Sequence, residues 1–305
     1  MEKLMRKFFL FLSNNKLFTK AAKKYGLRVG AARFVAGETN QKAAEKIKDL
    51  NDKGLSVTLD YLGEFVTDAS EARERADEYV DTIRTIAENN LDSQLSVKMT
   101  SMGMDISDDL IMENMKKILD AGKENGVFVT IDMEDYSRCQ RTLEIFEEFR
   151  KDYDNVGTVI QAYLYRAAGD IKYLNKLNPN LRLVKGAYKE SPEVAYPEKK
   201  DVDKNFRKLI TMHLKNGNYT AVATHDDEII RFTKKLVEQE EISRDQFEFQ
   251  MLYGIRKELQ EELVAEGYKV RVYIPYGKDW YGYFMRRLAE SPANVAFVVK
   301  GVLKK

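Results

Sequence analysis

Short runs of apolar and β-branched residues recur along the chain and alternate with longer charged stretches that have helical spacing. Such runs are typical of buried strands, and apolar positions three or four residues apart are typical of amphipathic helices. Eight candidate strands lie at 55–59, 95–99, 127–131, 156–162, 181–184, 221–224, 247–252 and 270–274. Helical spacing is clearest at 69–90, 108–125, 140–153 and 202–216. Alternating strands and helices predict an α/β fold with a parallel sheet.

Eight strand–helix units favour a TIM-type (β/α)8 barrel, and an open doubly wound sheet is the alternative. The sequence has no G-x-G-x-x-G that opens a helix and no G-x-x-x-x-G-K-[ST]. Their absence argues against a Rossmann dinucleotide site and against a P-loop. Residues 1–50 precede the first strand and look helical. We therefore expect an N-terminal helical arm over 1–50 and a single barrel domain over 51–305.

The overall composition narrows the classes of partner. The 305 residues carry 50 Lys and Arg against 49 Asp and Glu, a net charge of +1. This balance gives no general attraction to nucleic acid, and none is expected as a partner. A single cysteine, Cys139, excludes an intramolecular disulfide and fits a cytoplasmic location. The only histidines are His213 and His225, so no zinc site is expected, and a metal site built from carboxylates alone is the open alternative.

The N-terminal segment has an apolar run at 8–12. This run is too short to span a bilayer, which takes about 20 residues. One interpretation is an amphipathic helix packed on the protein. The other is peripheral contact with a membrane, in which Lys3, Arg6 and Lys7 lie near lipid head groups.

Polar side chains collect at the carboxyl ends of the predicted strands, where barrels of this type build their active sites. They are Lys98, Asp132, Gln161, Arg182, Lys185, Thr224, His225, Gln250 and Tyr273. Lys98 and Asp132 end neighbouring strands, and a buried charge is costly unless it is paired, so we expect an ion pair between them. A solvated rim would explain several of these residues singly, whereas their co-location favours a functional site.

A second cluster of aromatic and basic residues, D-W-Y-G-Y-F-M-R-R-L-A-E, occupies 279–290. If this segment is helical, Tyr283 shares a face with Arg286 and Arg287. A guanidinium binds a carboxylate bidentately, so the arginine pair suits a small carboxylate ligand. A surface ion pair with Glu290 is the alternative.

Seven motifs spread along the chain form a recognisable set. They are L-S-V-K (95–98), Q-A-Y (161–163), R-L-V-K-G-A-Y (182–188), A-T-H-D (223–226), F-E-F-Q-M-L-Y-G (247–254), R-V-Y-I-P-Y-G (271–277) and Y-F-M-R-R-L-A-E (283–290). In residues and in order the set resembles the proline dehydrogenase family, over about 55–303. The short spacing between R-V-Y and R-R resembles the small monofunctional bacterial members. No aldehyde dehydrogenase half is present, so the chain is expected to stop at the imine.

The resemblance implies a distorted barrel that binds FAD without a Rossmann fold. It implies oxidation of L-proline to Δ1-pyrroline-5-carboxylate by hydride transfer to flavin N5, with the electrons passed to a quinone. The implied catalytic residues are Asp132 and Arg182. The implied proline-binding residues are Lys98, Tyr273, Tyr283, Arg286 and Arg287. The implied FAD contacts are Met133, Gln161, Arg182, Lys185, Gly186, Ala187, Thr224 and His225. Lys189 departs from the family pattern, since many relatives carry Trp there.

One acidic residue, Glu64, follows the first predicted strand and could reach Arg286 from the opposite rim. An ion pair between them would form a gate that closes the site over a small substrate. An ordinary exposed loop acid is the alternative.

Three other functions remain open for this scaffold. One is a hydroxyproline dehydrogenase, which differs only in substrate preference. Another is a Schiff-base aldolase with Lys98 or Lys185 as its nucleophile. The third is a non-catalytic binding protein.

Overall fold

The computed structural model describes residues 33–63 and 65–290, with side chains as far as Met285. In this part of the chain, eight parallel strands follow one another in sequence order around a closed barrel. The last strand pairs with the first, and this pairing closes the ring. The predicted (β/α)8 barrel is confirmed, and the open doubly wound sheet is excluded.

All eight predicted strands are present close to their predicted bounds. The strands are β1 (Ser56–Tyr61), β2 (Ser93–Lys98), β3 (Val129–Asp132), β4 (Val156–Gln161), β5 (Leu181–Val184), β6 (Thr220–Ala223), β7 (Phe247–Leu252) and β8 (Val270–Tyr276). The helices are α1 (Asn40–Asn51), α2 (Ala69–Glu88), α3 (Asp108–Glu124), α4 (Tyr136–Arg150), α5 (Ala167–Leu174), α6 (Lys199–Lys215), α7 (Asp227–Gln239), α8 (Lys257–Ala265) and α9 (Trp280–Glu290). Helix α1 precedes the barrel, and each later helix follows one strand.

Aspartates directly before several helices fix where those helices begin. The side chains of Asp68, Asp135 and Asp226 accept hydrogen bonds from backbone N–H groups in the first turns of α2, α4 and α7. Such caps satisfy donors that the helix itself leaves unpaired. Because of its cap, α4 begins at Tyr136 and not at 140, where the apolar spacing had predicted its start.

The described part of the predicted arm, residues 33–50, packs directly on the barrel. The backbone N–H of Ala36 donates to the carbonyl of Pro275 at 2.9 Å, and Ala43 and Ile47 of α1 are buried. Residues 1–32, with Lys3, Arg6 and Lys7, lie outside the described residues, so the division into an arm and a barrel stays a prediction. No helix of the described chain is long and apolar enough to cross a membrane.

A buried ion pair fills the amino-terminal end of the barrel interior. Arg271 on β8 and Glu248 on β7 are 2% and 1% exposed, with 2.7 Å between Nε and Oε1. Glu248 also accepts hydrogen bonds from the Gln250 amide at 2.6 Å and the Tyr219 hydroxyl at 2.8 Å. Burial would raise the pKa of Glu248, but the guanidinium of Arg271 holds it below its usual range. The pair is therefore ionised and fixes the side chain of Gln250 above it.

Candidate active site

Three polar side chains meet around the carboxylate of Asp132, the last residue of β3. Arg182 Nη1 lies 2.6 Å from Oδ1, and the hydroxyl of Ser96 donates to the same oxygen at 3.1 Å. The hydroxyl of Tyr273 donates to Oδ2 at 2.8 Å. Arg182 also donates to Ser96 Oγ at 3.0 Å and lies over the ring of Tyr273. These residues come from β2, β3, β5 and β8, so the closed barrel brings them together.

The ammonium group of Lys98 lies beside this cluster. Its Nζ is 2.7 Å from Asp60 Oδ1 and 3.6 Å from Asp132 Oδ2. The expected ion pair between Lys98 and Asp132 is therefore present, but it is the longer of these two ion pairs. The nearer partner is Asp60, because β1 flanks β2 on the side opposite β3 and presents this carboxylate to the barrel interior. Asp132 is instead occupied mainly by Arg182.

Burial sets the protonation behaviour of two groups in the cluster. It raises the pKa of Asp60 to about 6, although Lys98 acts in the opposite direction. Burial, together with the negative charge of Asp132, raises the pKa of Tyr273 well above its ordinary value. Tyr273 therefore remains a hydrogen-bond donor at neutral pH. Asp60 titrates close to neutrality, unlike an ordinary aspartate.

A cavity of about 630 Å³ opens beside the cluster at the carboxyl end of the barrel. Ligand pockets commonly have volumes of about 300–1,000 Å³. All eight residues that the resemblance assigns to FAD line it: Met133, Gln161, Arg182, Lys185, Gly186, Ala187, Thr224 and His225. Asp132, Gln250 and Tyr273 line it as well, whereas Lys98 and Tyr283 are not among the lining residues.

The cavity wall carries buried polar atoms that have no hydrogen-bond partner among the described residues. They are Oε1 of Gln161, Oε1 of Gln250 and Nε of Arg182. The NH2 group of Gln161 donates to the carbonyl of Glu134 at 3.2 Å, and that of Gln250 donates to Glu248. These hydrogen bonds fix the orientation of both amide groups, so each amide oxygen points away from the partner of its NH2 group. Since buried polar atoms are rarely left unpaired, the wall is suited to a ligand with both donors and acceptors.

The loop after β5 approaches the cavity through a glycine. Gly186 has φ +111°, and a Cβ at this position would lie 2.2 Å from the ring of Tyr163. Residues with a side chain rarely adopt this backbone conformation, and no space exists here for a Cβ atom. The backbone at 186–187 can therefore border the cavity directly.

The ammonium group of Lys185 is held between two carboxylates at the cavity wall. Its Nζ lies 2.6 Å from Asp226 Oδ2 and 2.5 Å from Asp203 Oδ1. Although burial opposes the change, the hydrogen bond from Lys185 lowers the pKa of Asp226 to about 2. Lys185 is thus a fixed positive charge at the wall.

The imidazole of His225 connects the ends of two strands. Its Nε2 accepts a hydrogen bond from the backbone N–H of Leu252 at 2.9 Å. A ring nitrogen that accepts is unprotonated, so the neutral ring carries its proton on Nδ1. The end of β7 therefore orients a residue that lines the cavity after β6.

The second predicted cluster lies on α9, as its spacing indicated. Tyr283 is buried in a small apolar cluster that includes Phe34, Leu62 and Trp280. The indole N–H of Trp280 donates to Glu38 at 2.9 Å, which ties the start of α9 to the segment before α1. Three predicted residues lie outside the described side chains: Glu64, Arg286 and Arg287. Their roles stay predictions.

Comparison with known proteins identifies the family. A family model described as proline dehydrogenase matches residues 43–300. The chain belongs to the proline dehydrogenase family. Proline dehydrogenase 1 of Bacillus subtilis subsp. natto is 57% identical to it over 302 residues, which cover 99% of this chain and 100% of the relative. Proline dehydrogenase of Deinococcus radiodurans is 48% identical over 279 residues, 90% of each chain.

A solved structure from the same family shares the fold. The crystal structure of proline utilization A (PutA) from Bdellovibrio bacteriovorus, inactivated by N-propargylglycine, matches this chain with a TM-score of 0.80 and 29% identity. The match covers 85% of this chain and 32% of the much longer PutA chain.

Two residues of this proline dehydrogenase family member contact the charged cluster but were absent from the candidates that the sequence provided. Asp60 and Ser96 each lie two residues from another polar residue of the same strand, Thr58 and Lys98 respectively. Side chains two apart on a strand share a face. The two-residue spacing therefore predicts Asp60 and Ser96 on the interior face of the barrel. This spacing is the sequence signal that could have identified them.

Proposed function

We propose that this protein oxidises L-proline to Δ1-pyrroline-5-carboxylate, with FAD bound in the cavity of about 630 Å³. The observation that carries the proposal is the cluster of Asp132, Arg182 and Tyr273 at the wall of that cavity, in a member of the proline dehydrogenase family. FAD supplies the hydride acceptor when bound, and the protein supplies position and electrostatics.

The polar atoms of the cavity wall suit a flavin. A flavin ring presents one N–H donor flanked by carbonyl acceptors, and further ring nitrogens. The amide oxygens of Gln161 and Gln250 would accept from such a donor, and Arg182 Nε would donate. The positive charge of Lys185 and the backbone at Gly186 would hold the rest of the cofactor. Gln250 therefore joins the proposed FAD-binding residues.

The charged cluster would position proline and assist its oxidation. Lys98, with Arg286 and Arg287, would bind the carboxylate and aim the ring carbon at the hydride acceptor. Arg182 would stabilise the negative charge that reduction places on the flavin. Asp132 holds Arg182 in place through the contact at 2.6 Å. Tyr273 and Tyr283 are the proposed aromatic lining of the substrate site.

We propose that the electrons pass from this protein to a quinone. Proposed peripheral contact of segment 1–12 with the inner face of a membrane would bring the protein to such an acceptor. The basic residues Lys3, Arg6 and Lys7 around the apolar run support this contact.

The ion pairs of the two lysines disfavour the aldolase alternative. A Schiff-base lysine must act as a neutral amine, and its pKa is lowered by desolvation or by nearby cations. Lys98 contacts two carboxylates, and so does Lys185. Both ammonium groups are bound in ion pairs, so neither is placed as a Schiff-base nucleophile.

The proposed function is tested by the visible absorption spectrum of the purified protein. We expect a flavin spectrum that is bleached anaerobically by L-proline. Hydroxyproline run in parallel, compared by kcat/KM, separates the two dehydrogenase activities. A protein that stays colourless, and that gains no proline-dependent dye reduction when FAD is added, would contradict the proposal.

The arginine pair of α9 is tested by replacing each member with Met. We expect Arg286→Met and Arg287→Met to raise KM for proline by about tenfold to hundredfold, because each removes a charged hydrogen bond to the carboxylate. The flavin spectrum should stay unchanged. Lysine should restore little, since an ammonium group lacks the bidentate fork. If KM moves less than threefold in both variants, the arginines are surface residues and the carboxylate is bound elsewhere.

A further inference from the structure

We propose that Asp60 is a positioning residue for Lys98, and that its charge controls the affinity of the site for proline. This inference rests on the proposed function, in which Lys98 binds the substrate carboxylate. Asp60 is buried and its carboxylate binds the ammonium group of Lys98 at 2.7 Å, so the role assigned to it runs through Lys98 and not through contact with the substrate.

The position of Lys98 depends on two carboxylates that flank it. Asp60 is 2% exposed and lies 2.7 Å from Nζ on the β1 side. Asp132 lies 3.6 Å from Nζ on the β3 side. The ammonium group is therefore drawn toward Asp60, away from Asp132. A buried carboxylate that binds a buried ammonium so closely fixes its direction.

Asp132 is already shared among three donors, so it can take over from Asp60 only through the remaining acceptor site on Oδ2. One of its oxygens already accepts from Arg182 and Ser96, and the other accepts from Tyr273. If the charge of Asp60 is lost, Asp132 becomes the nearest carboxylate to Lys98 among the described residues. Lys98 then moves toward Asp132 and shares Oδ2 with the Tyr273 hydroxyl. The same movement takes the ammonium group from its place at the substrate site.

The surroundings of Asp60 allow its charge to change near neutral pH. The groups that act on it are Lys98 of β2, Asp132 of β3 and Tyr273 of β8, and Tyr79 of α2 lies within electrostatic range. Burial raises the pKa of Asp60 to about 6 against the effect of Lys98, and the charge of Asp132 adds to the increase. As pH falls through this value, Asp60 takes up a proton and Lys98 loses its nearer counter-ion. The carboxylate of free proline is ionised throughout the range from about pH 5.5 to 8, so a change in its charge does not produce this effect.

The experiment compares the pH dependence of proline KM in matched variants. Asp60→Asn keeps the size of the side chain but removes its charge at every pH. Thr58→Val is the control, because Thr58 lies on the same face of β1 and its buried hydroxyl has no partner in the described chain. Lys98→Met, alone and with Asp60→Asn, tests whether Asp60 acts through Lys98. Flavin spectra and melting temperatures show which variants are folded.

We expect wild type and Thr58→Val to show KM rising as pH falls below about 6. Asp60→Asn should have a KM about tenfold higher at pH 8, with no further rise on acidification. The double variant should match Lys98→Met. If Asp60→Asn has wild-type KM and keeps the acid limb, or if the losses multiply in the double variant, the proposal is wrong.

Two further results separate the alternatives. Should Asp60→Asn fail to fold, the comparison of Lys98→Met with the double variant still decides, since the double variant leaves neither charge unpaired. A double variant ten times weaker than Lys98→Met overturns the role of Asp60. A wild-type protein that does not oxidise proline contradicts the proposed function itself.

Discussion

Arg271→Met is expected to lower the free energy of unfolding by about 3–5 kcal/mol, because Glu248 loses its buried counter-ion and keeps only the ammonium group of Lys269, 3.6 Å away. Glu248 is 1% exposed, and Arg271 also donates to the carbonyl of Val57 at 2.7 Å. The hydrogen bonds from Arg271 to Glu248 and to Val57 lie inside the barrel, where water cannot replace them. Urea denaturation at neutral pH measures the loss.

Two further variants separate this effect from the loss of any arginine. Arg73→Met removes an exposed pair with Glu113, and should change stability by only about 0–1 kcal/mol. Adding Glu248→Gln to Arg271→Met removes the buried carboxylate charge and should recover much of the stability. Equal denaturation midpoints for Arg271→Met and Arg73→Met would contradict the assigned role of the buried pair.

Arg182→Met is expected to slow the proline-dependent reduction of the flavin by about a hundredfold to a thousandfold, the usual effect of removing one donor that stabilises developing negative charge. The variant should remain folded. Asp132 keeps the hydroxyls of Ser96 and Tyr273, and Lys98 lies 3.6 Å from it. Anaerobic stopped-flow absorbance at saturating proline measures the rate.

The control for this prediction is again Arg73→Met, because Arg73 lies on the outer face of the barrel helices. It should reduce the flavin at the wild-type rate. Flavin content, determined for each variant before mixing, separates slow chemistry from lost cofactor. A rate for Arg182→Met within tenfold of wild type would show that Arg182 is a structural partner of Asp132 and little more.

The positions of the interior side chains could be predicted from the sequence, but their pairing could not. Apolar runs of four to seven residues, each followed by a helical stretch, predicted the barrel and the polar strand ends. The interior carboxylates and cations come from four or more strands, however, and their partners depend on strand tilt and register. Lys98 shows the consequence, because Asp60 and Asp132 flank it from two neighbouring strands and only the folded barrel decides which carboxylate is nearer.

Prediction from the sequence is limited in a similar way for residues that cap helices. Asp226 lines the cavity and also caps α7, and Asp135 caps α4. A cap and a ligand-binding acid use the same residue type at the same place, the junction of strand and helix. The sequence therefore does not separate a carboxylate that starts a helix from one that binds a cation, as Asp226 does with Lys185.

The closure of the barrel by β1 and β8 places a constraint on how the protein is made. Val57 and Arg271, joined across this seam, are 214 residues apart in the chain. Contacts between such distant segments are slow to form during folding, and a chain growing from its amino terminus acquires them last. Asp60 is present from the first strand, but the Tyr273 hydroxyl arrives only with the eighth. The site is therefore completed only after β8 has been synthesised, and a chain that stops before Val270 can have neither the closed ring nor the full cluster.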